Sequence, residues 1–279
     1  MIKSNIFISV AAVFLAIETQ IQLGMRPQWH PYLFIIFFAT LFEYNLHRFV
    51  TIVTNKKALN SEKHSWVKPH LYLFYTLVIA SVLGFIISLF FAKTEVLITF
   101  APIALITLFY SLPVFKNKKN IFRLREIHFL KIFLIAFVWS AITVMLPVIQ
   151  SENTYNNNHI MLILIERFLF VFAIAIPFDI RDMEIDRQTG LKTIPLLIGE
   201  TGAYKLSNIL LGIFFIVCVF HYATLNSYLI LYPLIFSAAS TFLFLNIKTI
   251  RKIPYYHFGI LDGTMLLQGL LVYLFWYLG

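Results

Sequence analysis

An all-α bundle of nine membrane-spanning helices is the fold class this sequence predicts, and three observations predict it. Hydrophobic residues make up 60% of the 279 and charged residues only 13%, with thirty phenylalanines among them; so much apolar surface cannot face water on every side. Apolar runs long enough to cross a bilayer recur along the whole length, separated by short charged or Pro/Gly-containing loops. When nine such runs are threaded, nearly all the Lys and Arg residues of the loops fall on one side, as the positive-inside rule requires.

The first run, 6–23, follows Lys3 and has no small-residue cleavage pattern after it, so it reads as a retained helix rather than a removed signal. The second, 31–53, ends in "FEYNLHRF". Runs 70–91 and 94–112 are joined by a two-residue turn, and 130–150 follows a basic loop. Run 160–178 leads into an acidic segment, and 205–222, 225–246 and 261–278 complete the set. Lys56, Lys57, Lys63 and Lys68, then Lys116, Lys118, Lys119, Arg123, Arg125 and Lys131, then Arg181, Arg187, Lys192 and Lys205, then Lys248, Arg251 and Lys252 share one face with Lys3, leaving Arg26 and Lys93 opposite. That face and the N-terminus are expected to be cytoplasmic.

The longest polar loops, 54–69, 113–129 and 179–204, are too short to fold alone, so 1–279 reads as one membrane domain. The net charge of +9 is spread between spans and not gathered on one surface. Nucleic acid is therefore not an expected partner, and the lipid bilayer is. The expected location is an integral, multi-pass membrane protein, in the inner (cytoplasmic) membrane if the source is a bacterium. Cys218, the sole cysteine, lies within a span and excludes a disulfide framework or a cysteine-based metal site.

Chemistry concentrates in "PFDIRDMEIDRQTGLKTIPLLIG". Asp182 and Asp186 are four apart and lie on one helical face about 6 Å apart, with Asp179 one turn back on nearly the same stripe. Three like charges there need a cation between them, and Mg2+, a hard ion with oxygen ligands that keeps positions for phosphate oxygens, is the usual one. Gly190 can end the helix, and Lys192 and Thr193 can bring a cation and a hydroxyl close by. The alternative is an exposed interfacial loop in which Arg181, Arg187 and Lys192 neutralise the acids in water.

Two further constellations fall on the same membrane face. In "FYSLPVFKNKKNIFRLREIHFLK", Tyr110 ends the fourth span and basic residues follow. They either bind anionic lipid headgroups or lend Lys116, Arg123 or Arg125 to a diphosphate. In "FEYNLHRF", Glu43 and His47 form an i, i+4 pair, as do Tyr44 and Arg48, with Asn45 between them. Ionisable groups inside a span are functional candidates by default, against a plain reading in which Arg48 snorkels and Glu43 touches His47.

With these segments in view, the sequence resembles the UbiA superfamily of intramembrane prenyltransferases. "DIRDMEIDRQTGLKTIPLLIG" is similar to its second Asp-rich motif with the trailing Gly190, Thr193, Pro195 and Gly199. "YSLPVFK" resembles its tyrosine-to-lysine segment, and "YYHFGILDGTMLL", with Asp262 and Gly263, resembles the start of its last helix. The resemblance implies a helical bundle around a cavity in which Mg2+ and a prenyl diphosphate are held, with a lateral opening to lipid and transfer to a lipophilic, aromatic acceptor. It implies catalytic roles for Asp182, Asp186, Tyr110 and Lys192, and Asp179, Asp182 and Asp186 as metal ligands. Substrate contacts would come from Glu43, Asn45, His47, Arg48, Lys116, Arg123 and Arg125.

One departure stands out. The family's first motif, N-D-x-x-D on the second helix, has no aspartate here: aligning Glu43 with its Asn puts His47 at the Asp, and aligning Asn45 puts Phe49 there. The first metal site is thus altered or absent, and His47 with Arg48 is expected to contact phosphate directly. A non-catalytic relative that binds an isoprenoid or lipid is the alternative. A transporter is disfavoured, because no interrupted mid-membrane spans or internal repeat are seen. Far from this face, Glu18 and Arg167 are expected to pair, with Glu166 the competing partner.

Overall fold

The computed structural model describes residues 2–54, 66–112, 115–117, 120–151 and 153–279, so Lys56, Lys57, Lys63, Lys118 and Lys119 lie outside the described residues. Among these residues, eight helices are long and apolar enough to cross a membrane. They are α2 (Pro31–Thr54), α3 (Leu71–Phe91), α4 (Thr94–Ser111), α5 (Leu130–Gln150), α6 (Asn157–Gln188), α7 (Ile194–Thr224), α8 (Tyr228–Asn246) and α10 (Asp262–Leu278), the last extended backward by a π-helical turn, Tyr256–Leu261. α1 (Ile6–Gln22) is apolar but shorter, and α9 (Lys248–Arg251) is a single turn. These helices have the length and composition of spans in an integral, multi-pass membrane protein.

Most sequential helices pack as neighbours, whereas α3 lies against α2 and α4 against α5 and α2; the bundle closes because α10 returns against α1 and α8. Lipid-facing and core helices separate by burial. α3 buries only 17% of its apolar window and exposes Phe90 and Phe91, whereas α6 buries 56%. α1 is buried along most of its length against α2, α5 and α10, so it can carry Glu18, Thr19, Gln20 and Gln22 where lipid would reject them.

One local feature follows the expected pattern and two depart from it. α6 continues without a break to Gln188, so the acidic residues sit on the span's own helix, and Gly190, at φ 74°, adopts the left-handed conformation just past its end. α7 starts eleven residues earlier than the expected run and bends at Gly199. Finally, the basic loop holds a small antiparallel hairpin, β1 (Phe115–Asn117) with β2 (Asn120–Phe122), which no periodicity of so short a segment announces.

The seam between α1 and α10 is tight enough to require glycine. A Cβ on Gly269 would stand 2.5 Å from the Phe14 carbonyl oxygen, and backbone cannot move aside as a side chain can. Gly269→Ala is therefore expected to cost about 1–3 kcal/mol through overpacking. Unfolding in detergent micelles measures it, and a variant as stable as the parent would show that the seam yields freely.

Candidate functional site: an acidic cluster on a central cavity

α6 presents Asp179, Asp182 and Asp186 on one stripe, and α5 places a lysine against it. Lys131, one residue into α5 and buried, sets its ammonium 2.7 Å from Asp179, 3.6 Å from Asp182 and 3.6 Å from Asp186. Like charges on one helix face do require a cation, and in this structure the cation is Lys131. Asp179 and Asp186 are buried and Asp182 half-buried, so the exposed-loop alternative does not describe them. Arg181 grips Asp182 with two hydrogen bonds, Nε donating at 2.8 Å and Nη2 at 3.1 Å. Its guanidinium also lies over the rings of Phe258 and Phe178.

This cluster forms part of the wall of a cavity of about 200 Å³. At its polar end stand Glu43, His47, Tyr110, Arg125, Lys131, Asp179, Arg181, Asp182 and Asp262. Its body is apolar, made by Leu134, Val138, Trp139, Ile174 and Met265 among others. A second, almost wholly apolar space of about 370 Å³ lies between α2, α3, α4 and α5 and shares Glu43, Tyr44, Thr107, Val138 and Trp139 with the first. The molecule thus offers a space lined by charged residues and, across a shared wall, an apolar one.

The residues expected at the site divide. Asp179, Asp182, Tyr110, Glu43, His47 and Arg125 line the cavity, and Asp186 joins the cluster through Lys131. Arg125 rests over the Tyr110 ring at 5.6 Å, and Ser111 Oγ donates a hydrogen bond to the Glu43 carboxylate. Asn45 and Arg48 turn to the N-terminal segment: Asn5 Nδ2 donates to Asn45 Oδ1 at 2.9 Å, and Arg48 Nη2 donates to Asn5 Oδ1 at 3.2 Å while its guanidinium lies over Trp66. Asn45 and Arg48 thus meet Asn5 and are not in the cavity lining, the i, i+3 pair 45/48 lying on a different face of α2 from the i, i+4 pair 43/47.

Arg123 is spent on Glu126, at 2.6 Å, across one 3-10 turn. Lys192 is exposed and does not line the cavity. Its backbone N–H donates to His128 Nδ1 and its carbonyl accepts from Phe129 N–H, so the residue ties the α6–α7 loop to the start of α5. Lys116 lies in β1, and its side chain lies outside the described residues.

Lys131, Arg181, Trp139 and Asp262 were not among the expected site residues. Lys131 and Asp262 each left a usable signal, a charged residue just inside an apolar run, which must find a partner. At the opposite end of the bundle Arg167 pairs with Glu18 at 3.0 Å, while Glu166 is held by His221 at 2.6 Å and Tyr222 at 3.1 Å. The competing pairing is thereby excluded.

The oxygen-only, carboxylate-rich character of the α6 stripe suits a hard divalent ion. No group of three or more His, Cys, Asp or Glu side chains among the described residues stands in an ion-holding arrangement; Lys131 stands among the three aspartates.

Membrane-length helices packed around a cavity with charged and apolar walls define the class as a polytopic membrane bundle with an internal cavity. The model of the UbiA prenyltransferase family matches residues 67–254, more than half of the chain, and the chain belongs to that family. Among solved structures it is similar to a UbiA homolog from Aeropyrum pernix K1, at 17% identity and TM-score 0.62, covering 98% of each chain. It is also similar to a UbiA homolog from Archaeoglobus fulgidus bound to GPP and Mg2+, at 15% identity and TM-score 0.64, covering 98% of this chain and 99% of that one. A digeranylgeranylglyceryl phosphate synthase shares the fold at 12% identity and TM-score 0.57, covering 100% of this chain and 94% of that one. No curated protein matches the sequence.

Proposed function

We propose that this chain is an integral membrane prenyltransferase of one domain, 1–279, that moves a polyprenyl group from a prenyl diphosphate to a lipophilic, aromatic acceptor. The observation that carries it is a single cavity with Lys131, Arg125, Arg181, Asp179 and Asp182 at one end and an apolar body at the other. Diphosphate charge belongs at the first and an isoprenoid tail at the second. The Archaeoglobus fulgidus homolog bound to GPP, or to DMAPP, with Mg2+ supports the same ligand class. In this reading α1 is the ninth span, the N-terminus and the charged head site are cytoplasmic, and the protein sits in the inner membrane if its source is bacterial.

Asp179, Asp182 and Asp186 would hold Mg2+, which supplies positive charge to the departing diphosphate. Arg125 and Lys131 add their own charge to the same oxygens as the allylic C–O bond breaks. Trp139, Tyr44 and Phe178 offer ring faces to the allylic cation, and the apolar walls keep water from capturing it. The acceptor then forms the new bond to the prenyl carbon and releases a proton, for which Tyr110 and Glu43 stand on the cavity wall.

A second reading, an isoprenoid-binding relative without turnover, is favoured by one observation: Glu43 is the one carboxylate that α2 brings to the cavity, and Ser111 already holds it. Membranes carrying the protein, incubated with labelled GPP or a longer prenyl diphosphate, Mg2+ and a lipid extract, separate the two. A labelled lipid product is expected; saturable binding of the diphosphate with no product, unaffected by chelator, would establish the second reading instead.

A further inference from the structure

Lys131 occupies a position that a simple structural ion pair does not require. Asp179 pairs with it at 2.7 Å, yet the buried ammonium makes no well-directed hydrogen bond and also stands 3.6 Å from both Asp182 and Asp186. Those two longer contacts are beyond hydrogen-bond length. Asp186 Oδ2 is buried and accepts no hydrogen bond, which is costly for a carboxylate oxygen and is the kind of deficit a hard cation relieves. Across the cavity, α2 supplies Glu43 and no second carboxylate to assemble a second ion site.

We propose that Lys131 is a built-in cation of the aspartate cluster, standing in for one divalent ion; it narrows the three-aspartate ligand set to two, since Lys131 stays on Asp179 and the protein takes a single divalent ion through Asp182 and Asp186. The proposal rests, for its chemical meaning, on the reading of this cavity as a diphosphate site. A tethered ammonium gives the head site a fixed positive charge that needs no loading, and its donors not taken by Asp179 can reach the oxygens of the leaving group. It also explains how the charged site persists although the first motif has lost its aspartates: one of the two cations no longer needs carboxylates from α2.

The full-length protein, purified in detergent, is titrated with Mn2+ while the free-ion electron paramagnetic resonance signal is followed, with no prenyl diphosphate present. The parent is expected to bind one Mn2+. Lys131→Met is expected to bind Mn2+ at least about tenfold more tightly, because a unit positive charge some 4–6 Å from the ion has been removed. Lys131→Arg should match the parent, and Asp186→Asn should weaken binding. Two Mn2+ ions on the parent, or unchanged or weaker affinity in Lys131→Met, would overturn the proposal.

Lys131→Gln, purified alongside with Mg2+ present throughout, guards against a folding failure. If neither neutral variant folds with the ion supplied, the ammonium is not exchangeable for a metal and the proposal falls. The two ideas fail separately. A single Mn2+ with the tenfold gain, in a protein that yields no prenylated product, removes the transferase reading and leaves the assignment of Lys131 in place.

Discussion

Asp182→Asn and Asp186→Asn are each expected to lower product formation by about 10²- to 10³-fold, the scale on which one electrostatic stabiliser of a developing charge acts. Each replacement removes a full negative charge from the stripe that faces Lys131, while the side-chain volume hardly changes. The fold should survive, since Asp182 is only half-buried and its partner Arg181 keeps its stacking on Phe178 and Phe258. Chromatography of labelled lipid products, with melting temperature followed in parallel, checks both halves. Either variant retaining more than about a tenth of parent turnover would detach the α6 stripe from the chemistry.

Arg167→Met is expected to destabilise the bundle by about 3–5 kcal/mol, the usual cost of stripping one partner from a buried ion pair. Arg167 is 1% exposed and reaches four acceptors on α1: the Glu18 carboxylate at 3.0 Å, the Leu15 carbonyl at 2.9 Å, Thr19 Oγ1 at 3.4 Å and Gln22 Oε1 at 3.5 Å. Without it Glu18 keeps only the hydrogen bond donated by Gln268 Nε2 at 2.9 Å. The charge swap Glu18→Arg with Arg167→Glu should recover part of the loss and not all of it, because a glutamate at 167 cannot donate to the Leu15 carbonyl. Because this pair lies about 18 Å along α6 from Asp179 at 1.5 Å rise per residue, the affinity for prenyl diphosphate should change little in whatever fraction remains folded. Equilibrium unfolding in micelles measures the loss, and a change below 1 kcal/mol would make the pair incidental.

Much of the site could be read locally. Asp179, Asp182 and Asp186 were placed together by helical spacing, and Gly190 was placed at the end of their helix by its freedom to take a positive φ, which it does at 74°. The need for a cation among them followed from charge alone. Which cation it is did not, because Lys131 and Asp179 are brought together only by α5 packing on α6.

The same limit explains α2. Its polar residues divide into two faces by arithmetic, 43 with 47 and 45 with 48, yet nothing in the octapeptide says which face looks into the bundle. The contact of Asn45 and Arg48 with Asn5, forty or more residues away, decides it. Lys192, close in sequence to the acids, was drawn toward them on paper. The turn after Gly190 instead carries it to His128 at the start of α5.

By itself the sequence determined that this is a membrane bundle, that most of its helices run where the apolar stretches run, and that one helix end is densely acidic. These are properties of length, hydropathy and spacing within a single element, and the bilayer enforces them on each helix separately. The tertiary structure alone decided that an α5 lysine neutralises the α6 aspartates, that Glu43 and His47 face the cavity while Asn45 and Arg48 do not, and that Arg167 chooses Glu18 over its neighbour Glu166. Those outcomes depend on how helices distant in sequence are rotated and packed against one another, and buried charges take whichever partner that packing brings within about 3 Å.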